Sequence, residues 1–179
     1  MQELPEAKGV KYFKAKDGRI VGIYIKGDFE DYEKFPPYVN TDAEKAFLSD
    51  AYKLENLQRE KYTKAHITPE DYPLQLTILN RDPGAITRPH FHEIFESPKG
   101  NLRQQILWCQ RGKARIGVYT KEGLDLGSVI LEQFDLILVT EGHEVEFLEP
   151  NTKLIEVKQG PIPVSMADEM VVLKEITKP

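Results

Sequence analysis

Hydrophobic and polar residues alternate with a period of two over residues 10–16 and again over 19–26, on either side of Asp17-Gly18. Such runs predict a β-hairpin, because alternate side chains of a strand leave opposite faces and Asp-Gly suits the tight turn between them. After Pro36-Pro37 the period changes. Thr41-Asp42-Ala43-Glu44 has the form of a capping box, and Phe47, Ala51, Leu54 and Leu57 follow at helical spacing. Glu55 with Arg59, and Glu60 with Lys64, are i,i+4 pairs in the supportive order. An amphipathic helix over about 42–65 is expected, packed on the rest of the chain, with His66 just beyond its end in a favourable dipole contact.

From residue 73 the character changes again. Short apolar-rich runs occupy 74–80, 88–92, 104–110, 114–120, 128–131, 136–140, 144–148 and 154–158. Turn signals such as Asp82-Pro83-Gly84, Arg111-Gly112, Glu122-Gly123 and Pro150-Asn151 separate them. Many short strands at regular spacing predict a mainly β sandwich or jelly-roll barrel. Residues 1–72 would carry the hairpin and helix, and 73–179 the barrel, as one structural domain. No internal repeat or linker breaks the chain.

The candidate chemistry centres on histidine. The chain has 4 histidines, and two of them stand one residue apart in Arg88-Pro89-His90-Phe91-His92. On a strand, residues i and i+2 share a face, so both imidazoles can address one point in space. Two imidazoles suit half of a four-ligand site for Zn, Fe, Ni, Cu or Mn, although the same pair can also serve only as hydrogen-bonding wall residues.

The segment from Gly84 to His92 resembles the first motif of the cupin superfamily: a glycine, five residues, then His-x-His. The run from Asp135 to Gly142-His143 is similar to the strand and turn that deliver that family's last histidine. The resemblance covers 73–161 and implies a cupin double-stranded β-helix, with His90, His92 and His143 as metal ligands. Gln105 falls where the family usually carries a metal-binding glutamate, counted back from Gly112, while Glu96 is the second choice because it follows His92 closely. The stretch 93–103 is longer than the family pattern. Phe134 replaces the usual glycine before Asp135, and no proline stands in the final turn. A neutral carboxamide would leave a divalent ion its full charge, giving weaker binding but stronger polarisation of a bound oxygen. A metal-free branch, the dTDP-sugar ketoisomerases, is also similar, with an HxH pair and a following Gln; there the histidines act as acid and base.

Other residues are read beside these. Arg88 shares a face with the histidine pair and Arg103 shares one with Gln105. Both are candidate catalytic-site residues for pairing with a substrate carboxylate or phosphate, or else rim salt-bridge partners. Leu107 and Cys109 would face inward with Gln105, and Trp108 outward beneath the N-terminal elements. Val145 and Phe147 would line the core. Tyr119 and Lys158 stand on later strands within possible reach of the cavity. Glu141, Glu144, Glu146 and Glu149 read as a solvated acidic face.

Composition narrows the partners. Charged residues make up 30% of the chain, hydrophobic residues 40%, and the formal net charge is −5. With no basic run, neither nucleic acid nor a membrane surface is expected as a partner. One cysteine, Cys109, excludes an internal disulfide and suits a reducing compartment. No signal-like apolar segment occurs near the N-terminus, so a cytoplasmic protein is expected. The resemblance implies a homodimer. The expected function is that of a metal-dependent enzyme binding a divalent transition metal (Fe, Mn, Ni or Zn) and a small oxygenated metabolite. Isomerase, epimerase, lyase or dioxygenase chemistry would follow; the alternatives are a sugar-nucleotide ketoisomerase or a non-catalytic binding module.

Overall fold

The computed structural model describes residues 5–34, 64–93, 102–161 and 170–179. The expected hairpin forms from β1 (Val10–Lys14) and β2 (Ile20–Ile25), paired antiparallel. A 3-10 turn at Tyr32–Lys34 follows. The remaining strands are β3 (Lys64–His66), β4 (Leu74–Arg81), β5 (His90–His92), β6 (Gln105–Arg111), β7 (Ala114–Tyr119), β8 (Asp125–Leu131), β9 (Leu136–Val139), β10 (Gly142–Phe147), β11 (Thr152–Gln159) and β12 (Met170–Val172). The sequence pattern located all of these except β3 and β12.

Two five-stranded sheets result, ordered β3-β4-β11-β6-β9 and β12-β5-β10-β7-β8. Counting β4 to β11 as first to eighth, the sheets run first-eighth-third-sixth and second-seventh-fourth-fifth. That is the winding of a jelly roll, in which the chain crosses repeatedly from one sheet to the other. The strand pairs of both sheets are antiparallel.

Most of the expected helix, residues 42–63, lies outside the described residues. Its expected end does not hold: Lys64 and Ala65 are strand, in register with Leu79 and Ile78. Ala65 is fully buried against Ile78 and Phe29, so pairing with β4 and burial outweigh its helical preference. His66 is strand as well, and its Nδ1 lies 3.2 Å from Thr77 Oγ1 across the ladder.

The space between the sheets changes character along its length. Leu79, Leu107, Cys109, Ile116, Val145, Phe147 and Leu154 form its apolar part. Burying each large aliphatic or aromatic side chain here stabilises the fold by roughly 1.5–3 kcal/mol. Three strands carry the same transition from polar to apolar. His143 is followed on its face by Val145 and Phe147, and Gln105 by Leu107 and Cys109. On β11 the corresponding series, read backwards, is Lys158, Glu156 and Leu154.

The hairpin covers the outer face of the first sheet, where Phe29, Tyr32, Ile67 and Ile78 form a second core with Ile23, Ile25, Leu76 and Ile155. Trp108 points to this outer side, beside Ile23 and Ile25, as alternation along β6 required. Lys153 ties the layers together. Its ammonium, 1% exposed, donates to the Phe29 carbonyl at 2.7 Å and pairs with Glu30 at 2.8 Å. No helix among the described residues is long and apolar enough to cross a membrane.

Candidate metal centre

β5 and β10 are neighbours in the second sheet, and His90 is the direct cross-strand partner of His143. The preceding stretch runs along β10 as well: Gly84 N–H donates to the Phe147 carbonyl, and Thr87 N–H to that of Val145, both at 3.0 Å. This register places His90 opposite His143. His92, two residues on, leaves the same face. Ring centroids are 4.9 Å apart for His90 and His92, 4.3 Å for His90 and His143, and 5.5 Å for His92 and His143. One nitrogen from each ring lies within 4.8 Å of the others, and all three residues are buried.

The imidazoles are prepared to act as neutral donors of a lone pair. His90 Nδ1 lies 2.8 Å from the Arg88 carbonyl oxygen. A carbonyl only accepts, so Nδ1 carries the proton and Nε2 is left with its lone pair. Burial, then the positive charge of Lys158, holds His92 well below its ordinary value of 6.5. His143 is lowered as well, by burial first and then by His90.

Gln105 reaches this cluster from the opposite sheet. Its side chain is buried, with Nε2 and His143 Nε2 in close contact at 2.5 Å. Its Oε1 is buried with no hydrogen-bond partner among the described residues. A half-turn of the amide would present that oxygen to the same point, since the two ends differ only in which atom donates. Three neutral imidazoles and an orphaned carboxamide oxygen fit a divalent transition metal, whose preferred ligands in proteins include both atom types.

The other expected site residues take varied places. Glu96 lies outside the described residues. Arg88 is exposed, and its carbonyl rather than its side chain touches the cluster. Arg103 is buried, and its guanidinium donates to the carbonyls of Gln159 at 2.9 Å, Pro161 at 2.6 Å and Glu93 at 3.3 Å. It thereby ties the end of β11 to the end of β5. Tyr119 sits opposite Gly142, whereas Val118 pairs with His143, so the alternation turns Tyr119 to the far side of β7. Glu144 and Glu146 pair with Arg115 at 3.3 and 2.6 Å on that outer face. His66, on β3, is not one of the three clustered histidines.

Lys158 is the residue the sequence left undecided. It lies directly across the ladder from Gln105, on the inner face, and is 5% exposed. Its ammonium is 3.7 Å from Glu156 Oε1. The usable signal was alternation along β11, which places Lys158, Glu156 and the core residue Leu154 on one side.

No protein-family model matches the chain, and no curated protein matches it. Solved structures do. KdgF from Halomonas sp. is 19% identical, with a TM-score of 0.43 over 54% of this chain and 77% of that one. The oxalate decarboxylase of Lactobacillus farciminis, in a formate complex, is 17% identical, with a TM-score of 0.43 over 56% of this chain. A Bacillus subtilis oxalate decarboxylase variant is 19% identical, with a TM-score of 0.48 over 70% of this chain. The chain spans 27% and 31% of those two decarboxylase chains, well under their full length. The class rests on the molecule itself. Its strand winding is that of a jelly roll, and its HxH pair and distal histidine converge as the cupin resemblance implies.

Proposed function

We propose that this protein is a metal-dependent enzyme acting on a small oxygenated metabolite, with His90, His92 and His143 holding a divalent transition metal and Gln105 as a fourth, neutral ligand. The convergence of three buried imidazole nitrogens within 4.8 Å of one another carries this reading. Such an ion, when bound, polarises a carbonyl or hydroxyl oxygen and stabilises negative charge that develops on it. The chain's own part is to keep the imidazoles neutral and oriented, through burial and the Arg88 carbonyl, and to exclude bulk water from between the sheets. Arg88, exposed beside the histidine pair, is proposed to meet the incoming substrate, and Arg103 to hold the surrounding chain segments in place. A homodimer in the cytoplasm completes the proposal.

The Gln105–His143 contact favours a second reading, in which the imidazoles move protons without a metal. Solvent exchange separates the two. The protein, metal-loaded or chelator-treated, is incubated in deuterium oxide with a panel of hydroxy acids, keto acids and sugars, followed by proton magnetic resonance. Metal-dependent loss of a carbon-bound proton signal, abolished in His92→Ala, supports the first reading. Exchange that survives chelation supports the second. No exchange or conversion of any compound contradicts the enzymatic reading.

A further inference from the structure

The ligand set proposed above contributes no negative charge: three imidazoles and an amide are all neutral. Around it the fold places cations. Lys158 is directly opposite Gln105 in the β6–β11 ladder, where partner Cβ atoms stand roughly 4.5–5.5 Å apart. Lys158 thus stands on the inner face of the sheet opposite the three histidines, beside Gln105, which touches His143. Removing an ammonium from water is costly unless negative charge accompanies it. Glu156 is one such partner, at 3.7 Å. A divalent ion beside Lys158 would raise the local positive charge well beyond what Glu156 offsets.

We propose that Lys158 makes this centre specific for anionic ligands, receiving the carboxylate of a small molecule whose other oxygen faces His90, His92 and His143. The inference rests on the metal reading and adds the substrate class to it. A carboxylate fits better than a phosphoryl group, because one ammonium shared with Glu156 supplies few donors for a dianion with three oxygens. Arg103, another buried cation, donates to three backbone carbonyls and serves as scaffold. The proposed role differs from a purely structural ion pair in one respect. Removing Glu156 should improve ligand binding, whereas a structural pair would merely lose stability.

The test is calorimetric titration with glycolate and with ethylene glycol, which differ by the carboxylate, and with inorganic phosphate as a third probe. Wild type, Lys158→Met, Lys158→Arg and Glu156→Gln are loaded with Mn, and their metal content is measured before titration. Wild type should bind glycolate at least about tenfold more tightly than ethylene glycol, as expected for a charge-assisted hydrogen bond. Lys158→Met should lose that preference while keeping its metal, Lys158→Arg should retain part of it, and Glu156→Gln should strengthen glycolate binding several-fold. Equal binding of the two probes by wild type, or an unchanged preference in Lys158→Met, overturns the proposal. Should Lys158→Met not fold, weaker glycolate binding by Glu156→Gln overturns it instead. Tighter binding of phosphate than of glycolate overturns the carboxylate assignment. A protein that takes up no metal refutes the metal reading alone if glycolate still binds through Lys158, and refutes both if it does not.

Discussion

His143 lies directly across the ladder from His90, and their rings stand 4.3 Å apart at a tilt of 53°. The two residues are 53 positions apart in the chain, so only the return of β10 alongside β5 makes them neighbours. His92 joins from the same face of β5, and Gln105 approaches from the facing sheet. The centre is therefore built on three strands of a rigid scaffold, which holds ligand geometry better than loops would.

In the proposed centre Gln105 would be the lever on metal affinity. Gln105→Glu adds a negative charge to an otherwise neutral ligand set and should tighten binding by about tenfold or more. Gln105→Leu should weaken it. Competition against a chelator of known affinity measures both. Unchanged affinity in both variants would move the fourth ligand away from Gln105, with Glu96 next to be replaced.

Acid should weaken both the fold and the centre. The imidazoles of His92 and His143 titrate below 6.5 in the folded state. Unfolded, they would titrate near 6.5, so below that pH the unfolded chain binds more protons than the folded one. Stability is fully present above about pH 6.5 and declines as pH falls through that value, by up to about 1.4 kcal/mol per pH unit for each such group. His66, also lowered by burial and by Lys64, adds in the same direction. Urea unfolding of metal-free protein between pH 7.5 and 5.5 measures the slope; a flat profile would mean that the imidazoles are not buried neutral.

The turn before β9 stores strain. Phe134 has a φ of 76°, in the left-handed region, and is 67% exposed. Its phenyl ring buries little that would offset the roughly 1–2 kcal/mol that this conformation costs an L-residue. Phe134→Gly should therefore stabilise the protein by up to about 1 kcal/mol, after the greater unfolded-state freedom of glycine is subtracted. Gly112→Ala should do the reverse. Its φ is 78°, and an added Cβ would lie 2.8 Å from the Thr152 Cα. Chemical denaturation of the two variants gives the signs.

Much of the fold and of the centre was legible in the chain, for identifiable reasons. Period-two alternation marked the strands, and turn residues marked their ends, so the eight jelly-roll strands were found within a few residues. The HxH pair needed only strand geometry. His143 and Gln105 needed the cupin resemblance, because nothing local says that β10 returns beside β5 or that β6 faces it. β3 was misread because Lys64 and Ala65 continue a helical spacing; only the burial of Ala65 against Ile78 shows why they pair as strand. β12, three residues long, carries too short a pattern to show a period. The strand pattern does not decide Lys158, because a lysine on a strand usually faces solvent and its burial depends on two sheets closing over it.

The metal content of the purified protein, measured by plasma mass spectrometry beside His92→Ala, His143→Ala and His66→Ala, tests the centre most directly. Wild type and His66→Ala should carry near-stoichiometric Fe, Mn, Ni or Zn, as purified or after incubation with the ion. His92→Ala and His143→Ala should lose most of it, because removing one of three imidazoles exceeds the 10–100-fold loss typical of even a supporting residue. Wild-type protein that stays free of metal after incubation with each ion, or ligand variants that retain as much as wild type, would contradict a metal centre at His90, His92 and His143.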